Sequence, residues 1–536
     1  MNVFRILVKN SRNYTIVDQD GTVVETTHDA RRIPFCLPGD SVIYDHKNEV
    51  YTLVERAKYP FLAGRLELAS KTKYGMTKRG YPMYLFLPFR KEFPPFIVGC
   101  SEKDTSKNRL ALIEFESWSN DLPRGVIKQM LGTCGDKVAE RTALLWTHSP
   151  WRIPKHLRTM TPEIESLYPG LRIPCPEQTF SIDPAGCRDV DDALSIKIKD
   201  DRIELWITIA DVADVIQRDT AIDTIAKEIS QTTYENGQAV CPMLPVAYSE
   251  GSCSLLEGQP RRGITLVLTI CKQYIIKKQW LRTTLVNKRQ YTYENFIEEA
   301  PRDGLPLDTL EKVFRILGSK TRDVHEWVEV CMLTYNIEAA KLIQGQVSGG
   351  ILRKHKGKNE EQWKEYEQLC PGLGRLAEAA AQYCSPQDSD TEHKGLGYIY
   401  CHASSPIRRY ADLINQRAIH AILDGMVTES TSWQEIAWLN QRQKDCKHYE
   451  RDLAFLEILL SGDKSVVDAI VINKKKVEGL IDTLSYSLWI DAWKRVVSWK
   501  TTDELEKGEH IRLQYYANPS SRFWKDRLVF RKDPTK

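Results

Sequence analysis

Long apolar segments are absent from this chain. No stretch approaches the ~18–20 apolar residues of a membrane-spanning helix, and the apolar run after Met1 is too short for a signal peptide. Low-complexity tracts and solenoid repeats are absent as well. These absences lead us to expect a soluble, intracellular protein without membrane contact. The cytoplasm is our first expectation, and organellar or virus-encoded origins are also compatible.

Cysteine pairs with metal-ligand spacing are lacking too. The 13 cysteines are an odd number scattered from Cys36 to Cys446, and no C-x-x-C pair occurs among them. Zinc knuckles and a disulfide framework are therefore not expected, and a reducing compartment is indicated.

Charge of one sign is not in excess. The chain has 75 Lys and Arg residues against 72 Asp and Glu residues, a formal net charge of +3. Any nucleic-acid surface must therefore be a local groove and not a field of the whole protein. A length of 536 residues predicts several domains.

Negative charge is concentrated in one stretch, Phe180–Ala193. Its four carboxylates are Asp183, Asp189, Asp191 and Asp192. Like charges at this density raise one another's pKa unless cations neutralise them, and all-oxygen donors suit Mg²⁺ or Mn²⁺. The pattern indicates a metal site of the kind that serves phosphoryl transfer. A solvated acidic loop is the alternative, and the ligand order of an EF-hand loop is not met.

A hairpin follows the acidic stretch. Apolar residues alternate through Ala193–Ile198 and again from Ile203 to Ile209, and 199–201 form a turn. Folding the chain about position 200 brings Asp211 alongside residues 189–192. We therefore expect Asp211 to bind the metal directly or to support the residues that do.

The flanking regions indicate small β modules. Evenly spaced short strands predict OB-like barrels over 1–58 and 59–150, the second ending in a helical connector at 121–145. The large domain extends over 151–465. Residues 466–536 return to short strands, one of them predicted over Val477–Leu484, and predict a third barrel.

Two arginines stand near the start of a predicted helix. Ser405 can cap and Pro406 can open a helix that extends to about Leu423. Arg408 and Arg409 then lie in its first turn, where a bound phosphate would offset their unfavourable position in the helix dipole. The alternative is an Arg408–Asp412 ion pair with a solvated Arg409, and the sequence leaves both open.

Several motifs together resemble a known family, that of RNase II and RNase R with its RNB catalytic domain. The resemblance covers roughly residues 175–460 and rests on the acidic stretch, Pro242–Pro245, Cys253–Leu255, Met332–Ala340, Arg353-x-His355, Ser405–Leu413 and Arg417. It implies an α+β multidomain fold, in which the RNB domain is flanked by two N-terminal cold-shock-like OB barrels and one C-terminal RNA-binding barrel.

The resemblance implies a processive 3′→5′ exoribonuclease that releases nucleoside 5′-monophosphates from single-stranded RNA. Asp183, Asp189, Asp191 and Asp192 match the aspartates that hold two Mg²⁺ ions (Mn²⁺ is the alternative), and Asp191 is the one most directly tied to cleavage. The other matched residues are Arg408 on the scissile phosphate, Tyr234 on the 3′-terminal base, and Arg409, Arg353, His355 and Arg417 as RNA-binding positions. We expect a monomer, with membership of a multiprotein RNA-decay assembly open.

The sequence also departs from the family pattern. Gly186–Arg188 stands where small or acidic residues and a lysine are common, and Gln416 replaces the usual histidine before Arg417. Two other functions are therefore kept as alternatives. One is a catalytically silent RNA-binding regulator on the same fold, and the other is a metal-dependent endonuclease or DNA nuclease.

Overall fold

The computed structural model describes residues 2–10, 13–162, 165–345, 349–427, 429–461, 466–476, 483–518 and 521–533. These residues form two compact units. The first comprises 1–151, 360–377 and 445–536, and the second comprises 152–359 and 378–444. Within the described part of the chain, no helix has both the length and the apolar composition needed to cross a bilayer.

Two five-stranded β modules begin the first unit. The first module is an antiparallel sheet in the order β3-β2-β1-β4-β5, and the second is a closed barrel in the order β10-β8-β7-β6-β9. Their strands are β1 (Val3–Asn10), β2 (Asn13–Val17), β3 (Val23–Thr27), β4 (Ser41–Asp45), β5 (Val50–Glu55), β6 (Leu62–Leu66), β7 (Met83–Pro88), β8 (Phe96–Gly99), β9 (Arg109–Ser117) and β10 (Arg124–Thr133).

The predicted helical connector at 121–145 is wrong in its first half. Residues 124–133 form β10, which pairs with β9 and β8 and closes the barrel, so tertiary pairing overrides the helical preference of this segment. Helix α1 (Lys137–His148) begins only after it. Its N-cap is Asp136, whose carboxylate accepts a hydrogen bond from the Ala139 N–H at 2.8 Å.

The second unit is built on a seven-stranded sheet in the order β11-β18-β17-β14-β13-β12-β19. The strands of this part of the chain are β11 (Ile173–Pro174), β12 (Thr179–Asp183), β13 (Asp192–Lys199), β14 (Arg202–Ala210), β15 (Thr233–Glu235), β16 (Gln238–Cys241), β17 (Pro260–Cys271), β18 (Tyr274–Val286), β19 (Arg289–Thr292), β20 (Leu352–Lys354), β21 (Gln382–Cys384), β22 (Glu392–His393) and β23 (Tyr398–Ile399).

Helices α2 to α9 accompany these strands along the chain. They are α2 (Lys155–Arg158), α3 (Ala221–Ile229), α4 (Phe296–Glu299), α5 (Leu307–Ile316), α6 (Val324–Gln344), α7 (Glu360–Leu369, which belongs to the first unit), α8 (Tyr410–Leu423) and α9 (Trp433–Leu460). Of these, α4, α5, α6 and α8 contribute residues to the buried core of the seven-stranded sheet. The α6 residues Trp327 and Tyr335 are fully buried in one cluster with Leu205 and Ile207 of β14. This core fixes the strands that carry the acidic loop.

The C-terminal module of the first unit is a five-stranded sheet in the order β26-β25-β24-β27-β28. Its elements are β24 (Val466–Lys476), β25 (Leu484–Ile490), β26 (Arg495–Thr501), β27 (His510–Ala517), α10 (Trp524–Arg527) and β28 (Leu528–Lys532). The predicted strand at 477–484 lies mostly outside the described residues. The α+β multidomain class predicted from the sequence is confirmed.

Candidate active site

The acidic loop connects two adjacent strands of the large sheet. Asp183 is the last residue of β12, Asp192 is the first of β13, and these strands pair at Phe180–Leu194. Ser254 holds the loop between them. Its hydroxyl donates to the Arg188 carbonyl at 2.7 Å and accepts from the Val190 N–H at 2.9 Å. The Cys253–Leu255 motif therefore fixes the path of the acidic loop.

The carboxylates of this loop act on one another. Burial, with a smaller contribution from the charge of Asp189, raises the pKa of Asp183 to about 6, although nearby hydrogen bonds act in the opposite direction. Burial also raises the pKa of Asp192 well above its usual range, with the charges of Asp183 and Asp191 adding to the effect. Simultaneous ionisation of Asp183, Asp191 and Asp192 is therefore unfavourable without a compensating cation.

Asp191 is paired with the predicted phosphate-binding arginine. Its side chain is buried, and its carboxylate accepts hydrogen bonds from Arg408 Nε at 3.2 Å and from the Ile407 N–H at 3.0 Å. Burial raises the pKa of Asp191 to about 7, although Arg408 acts in the opposite direction. Arg408 also donates to Ser405 Oγ at 2.9 Å, and 45% of its side chain stays exposed. Its guanidinium is thus oriented from one side and accessible to a ligand.

Tyr234 reaches the same loop from the β15–β16 hairpin. Its hydroxyl donates to Asp189 Oδ2 at 2.7 Å. Burial raises the pKa of Tyr234, and the charge of Asp189 raises it further, so the phenol keeps its proton. Main-chain hydrogen bonds join its segment to that of Arg408. The Thr232 N–H donates to the Arg408 carbonyl at 3.0 Å, and the Tyr410 N–H donates to the Ser230 carbonyl at 2.8 Å.

The donor chemistry of the loop fits a hard divalent cation. All four donors are carboxylates, the ligands that Mg²⁺ and Mn²⁺ prefer, and their mutual repulsion is what a bound ion would relieve. In the residues that the structure describes, no three His, Cys, Asp or Glu side chains are arranged as a ready-made metal site. Asp189 and Asp191 accept hydrogen bonds from Tyr234 and Arg408, and an ionised carboxylate has further lone pairs with which it could ligate a cation.

The positions and partners of Arg408 and Arg409 differ from both arrangements that the sequence predicts. Helix α8 begins at Tyr410 and not at Pro406. Residues 405–409 form turns instead, in which the Ser405 carbonyl accepts hydrogen bonds from the N–H groups of Arg408 and Arg409. Arg409 forms the ion pair with Asp412, in which its Nε and Nη2 atoms donate to the two carboxylate oxygens at 2.9 Å and 2.8 Å. The predicted Arg408–Asp412 pair with a solvated Arg409 is therefore wrong. Asp412 also accepts from the Ser405 N–H at 2.7 Å, and it fixes the turns that carry Arg408.

The predicted hairpin is confirmed, but the role predicted for Asp211 is not supported. Lys199 pairs with Arg202 around a turn at Asp200, and the Ala210 N–H donates to the Asp191 carbonyl at 2.8 Å. The Asp211 carboxylate, however, accepts from Arg172 at 2.9 Å and is 2.8 Å from His420 Nε2. Burial alone would raise the pKa of Asp211, but these partners outweigh it and lower the pKa. Asp211 therefore belongs to a separate buried ion-pair network.

Three other predicted RNA-binding residues have their own partners. Arg353 is buried, with its guanidinium 5.3 Å from the Tyr383 ring centre, and burial lowers its pKa. His355 accepts a hydrogen bond from the Gly357 N–H and stacks on His393. Arg417 donates to Asp223 at 2.6 Å and to the Ile216 carbonyl at 3.1 Å. Among the described contacts, none of the three joins a side chain of the acidic loop.

Two glutamines contribute hydrogen bonds around the site, and only Gln290 was not singled out from the sequence. Gln290 Nε2 is 3.4 Å from Asp183 Oδ2 and donates to the Cys187 carbonyl at 3.1 Å. Gln416 donates to the Ala210 carbonyl at 2.6 Å and accepts from the N–H groups of Val212 and Ala213. An amide side chain can donate and accept at once, so the departure from the family pattern at 416 ties α8 to the end of β14.

Comparisons with known proteins agree with this architecture. The RNB domain model matches residues 176–304 and 296–425, and the model of the Dis3-like cold-shock domain 2 matches residues 83–149. The strands and helices that carry the acidic loop, Tyr234 and Arg408 thus fall within the RNB match. The chain therefore carries an RNB domain, preceded by a region similar to the Dis3-like cold-shock domain 2.

Relatives of the chain are similar over part of their length. The probable exosome complex exonuclease RRP44 of Caenorhabditis elegans is 24% identical over 480 residues, 72% of this chain and 50% of that protein. Exoribonuclease 2 of Xenorhabdus bovienii is 26% identical over 348 residues, 51% of this chain and 54% of that protein. The chain therefore spans about half the length of these curated relatives.

Solved structures share the fold. RNase R of Mycoplasma genitalium, solved in complex with ribose-methylated single-stranded RNA, superposes with a TM-score of 0.70 at 15% identity, over 99% of this chain and 100% of that chain. Yeast Ssd1, described as a pseudonuclease, has a TM-score of 0.66 at 14% identity, over 97% and 80% of the two chains. The RNB domain flanked by OB-type modules, predicted from the sequence, is thereby confirmed.

Proposed function

We propose that this protein is an Mg²⁺-dependent exoribonuclease that hydrolyses single-stranded RNA processively from its 3′ end and releases nucleoside 5′-monophosphates. The observation that carries the proposal is the contact of buried Asp191 with Arg408, whose guanidinium donates to Ser405 and whose side chain remains 45% exposed. A carboxylate of the acidic loop and a phosphate-binding cation are thus held side by side. The family resemblance supports the direction of degradation and the products.

Each side chain has a defined task in this proposal. Asp183, Asp189, Asp191 and Asp192 would hold two Mg²⁺ ions, or Mn²⁺ as the alternative, which activate water and stabilise the leaving 3′-oxygen. Arg408 offsets the charge that develops on the phosphoryl oxygens. Tyr234 stacks on the 3′-terminal base, a contact worth ~1–3 kcal/mol that is indifferent to base identity. Contacts to the 2′-hydroxyl would discriminate against DNA.

A catalytically silent RNA-binding protein is the second candidate. Yeast Ssd1, whose fold this chain shares, is named a pseudonuclease, so the fold alone does not imply hydrolysis. The complete set of four aspartates favours the enzyme, because clustered carboxylates are costly to keep buried unless they bind cations. As macromolecular partner we propose single-stranded RNA bound by a monomer.

The decisive assay uses a 5′-labelled single-stranded RNA of about thirty nucleotides with Mg²⁺. We compare the wild type, Asp191→Asn and the matched control Asp200→Asn, which removes a carboxylate from the exposed hairpin turn, where asparagine tolerates the positive φ. We expect the wild type and the control to convert full-length RNA directly into a short 5′ product. Asp191→Asn, EDTA and a blocked 3′ end should each abolish this conversion.

Other outcomes point to the other candidates. RNA that is bound but left intact under all conditions would support the silent regulator. Internal fragments from a circular RNA, or equal activity on DNA, would support an endonuclease or a DNA nuclease. Undiminished hydrolysis by Asp191→Asn would contradict the assignment of the acidic loop.

A further inference from the structure

A cleft opens beside helix α8 in the second unit, and it is called the α8 cleft here. Its polar lining residues are Arg218, Tyr410, Arg417, Glu429, Thr431 and Glu435. Among the described residues, neither Arg408 nor an aspartate of the acidic loop lines it. Its volume is about 50 Å³, whereas a single water needs roughly 10–15 Å³. A group the size of several waters, such as a phosphate, therefore fits into the cleft.

Arg417 lines the α8 cleft with donors that it does not use elsewhere. Its Nη2 donates to Asp223 at 2.6 Å and to the Ile216 carbonyl at 3.1 Å, and its Nη1 donates to the Tyr410 hydroxyl at 3.3 Å. Its Nε–H has no hydrogen-bond acceptor among the described residues. A guanidinium has more N–H donors than these contacts use, so its partners fix the orientation of Arg417 and leave donors for a ligand in the cleft.

Arg218 is the second cation of the α8 cleft, and it is weakly held. Its guanidinium makes no hydrogen bond in the described part of the chain. The carboxylates within ion-pairing distance are those of Asp219 at 4.0 Å and Glu429 at 3.5 Å. The side chains of Arg218 and Glu429 are 48% and 85% exposed, and exposed pairs of this kind contribute little to stability. A phosphate could therefore replace Glu429 beside Arg218 at small cost.

The other side of the α8 cleft is formed by the start of helix α9. Glu435, in the first turn of α9, is buried and lies 3.0 Å from Lys227 Nζ, so its negative charge is already compensated. Thr431 contributes a hydroxyl, which donates to the Gly350 carbonyl at a long 3.4 Å and could donate to a ligand instead. The dipole of α9 also favours an anion near its N-terminal end. The cleft thus combines two arginines with a hydroxyl and a helix N-terminus.

We propose that the α8 cleft binds a phosphate group, supplied by inorganic phosphate or by a nucleoside monophosphate. Arginine donors match phosphate oxygens in geometry and charge. Because Arg218 and Arg417 come from separate segments, they can each contact different oxygens, which suits a tetrahedral dianion better than a planar carboxylate. The inference goes beyond the proposed function, since it requires neither a metal ion nor hydrolysis.

The test measures phosphate binding by the full chain in EDTA, using isothermal titration calorimetry at constant ionic strength. The probes are inorganic phosphate and uridine 5′-monophosphate. The test variant is Arg218→Gln, and the protein should stay folded because this side chain is half exposed and makes no hydrogen bond among the described residues. The matched control is Arg322→Gln, which removes an arginine of the second unit that is 57% exposed and lies 3.3 Å from Glu311.

We expect Arg218→Gln to weaken phosphate binding at least ~10-fold, because it removes charge-assisted hydrogen bonds to the ligand. Arg322→Gln should keep the wild-type affinity. Glu429→Gln should tighten binding about 2–5-fold, since it removes the carboxylate that competes with the ligand for Arg218. Competition between the two probes would support a site for phosphate monoesters, and binding of inorganic phosphate without competition would support a site for the free ion.

A wild type that binds neither probe would overturn the proposal. Equal weakening in Arg218→Gln and Arg322→Gln would also overturn it, because the effect would then belong to the overall charge. Arg408 holds a phosphate under the proposed function, so Arg408→Gln is measured as well. Loss of binding in Arg408→Gln together with wild-type binding in Arg218→Gln would assign the ligand to the candidate active site and overturn the inference about the α8 cleft.

Discussion

The Arg409–Asp412 ion pair offers a quantitative test of how the turns before α8 are held. Asp412 is fully buried, and it accepts two hydrogen bonds from Arg409 and one from the Ser405 N–H, all at 2.7–2.9 Å. Replacement by alanine leaves a buried guanidinium without its counter-charge and an N–H without an acceptor. Removing one partner of such a pair costs about 3–5 kcal/mol.

The cost should be strongly non-additive. Arg409→Met alone leaves a buried carboxylate unpaired, whereas Arg409→Met combined with Asp412→Ala removes both charges. We therefore expect the double variant to lose less stability than the sum of the single variants, by more than about 1 kcal/mol. The free energy of unfolding is measured by urea denaturation, following the transition of the second unit.

A matched surface pair supplies the reference. Glu298 and Arg302 form an i,i+4 ion pair with side chains 71% and 69% exposed, and Glu298→Gln should cost no more than about 0.5 kcal/mol. An Asp412→Ala cost as small as this reference would refute the structural reasoning. So would simple additivity of the two buried substitutions, because the two groups would then not be paired.

Three further predictions concern other parts of the molecule. Ser254→Ala removes both hydroxyl contacts to the acidic loop, which should lower the free energy of unfolding by about 1–3 kcal/mol. It should also weaken Mn²⁺ binding measured by calorimetry, and unchanged affinity would contradict the role of Ser254 in shaping the loop. Gly64→Ala places a Cβ 2.4 Å from a carbonyl oxygen of β7, so we expect the β6–β10 barrel to lose its thermal transition or shift it strongly downward, and a normal melting curve would argue against the close approach. Burial acts to raise the pKa of Asp452, but hydrogen bonds from His148 and Arg495 outweigh it and lower the pKa. The stabilisation that ionised Asp452 contributes to folding should therefore be present above the unfolded pKa of about 3.9 and be lost as the pH falls below it. In Asp452→Asn, the free energy of unfolding should fall less steeply with decreasing pH in this range. An equally steep fall in the variant would contradict the lowered pKa of Asp452.

The sequence was informative wherever a pattern is local. Alternating apolar residues gave the β13–β14 hairpin and its turn at Asp200, because side chains of a half-buried strand must alternate between two faces. The density of carboxylates likewise identified the acidic loop, because it is a local property of the sequence, and the pairing of β12 with β13 then brings its two ends together. The end of helix α8 at Leu423 was also predicted.

Features set by distant residues escaped sequence reasoning. Asp211 was predicted near the metal from hairpin register alone, yet its partners Arg172 and His420 come from segments 39 and 209 positions away. The segment of β10 was predicted as a helix, because its strand conformation depends on pairing with β8 and β9, which the local sequence does not reveal. Helical spacing suggested Arg408 as the partner of Asp412, but 405–409 is not helical, and Arg409 takes that place.

The main-chain link between residues 230–232 and 408–410 has a consequence for substrate spacing. Tyr234 and Arg408 lie on segments joined by peptide hydrogen bonds, so the backbone limits how far the two side chains can move relative to each other. Under the proposed function, this link would restrain the distance between the stacked base and the held phosphate. Substitutions at 234 should then change how tightly the last base is gripped, while each cut still falls at the same bond.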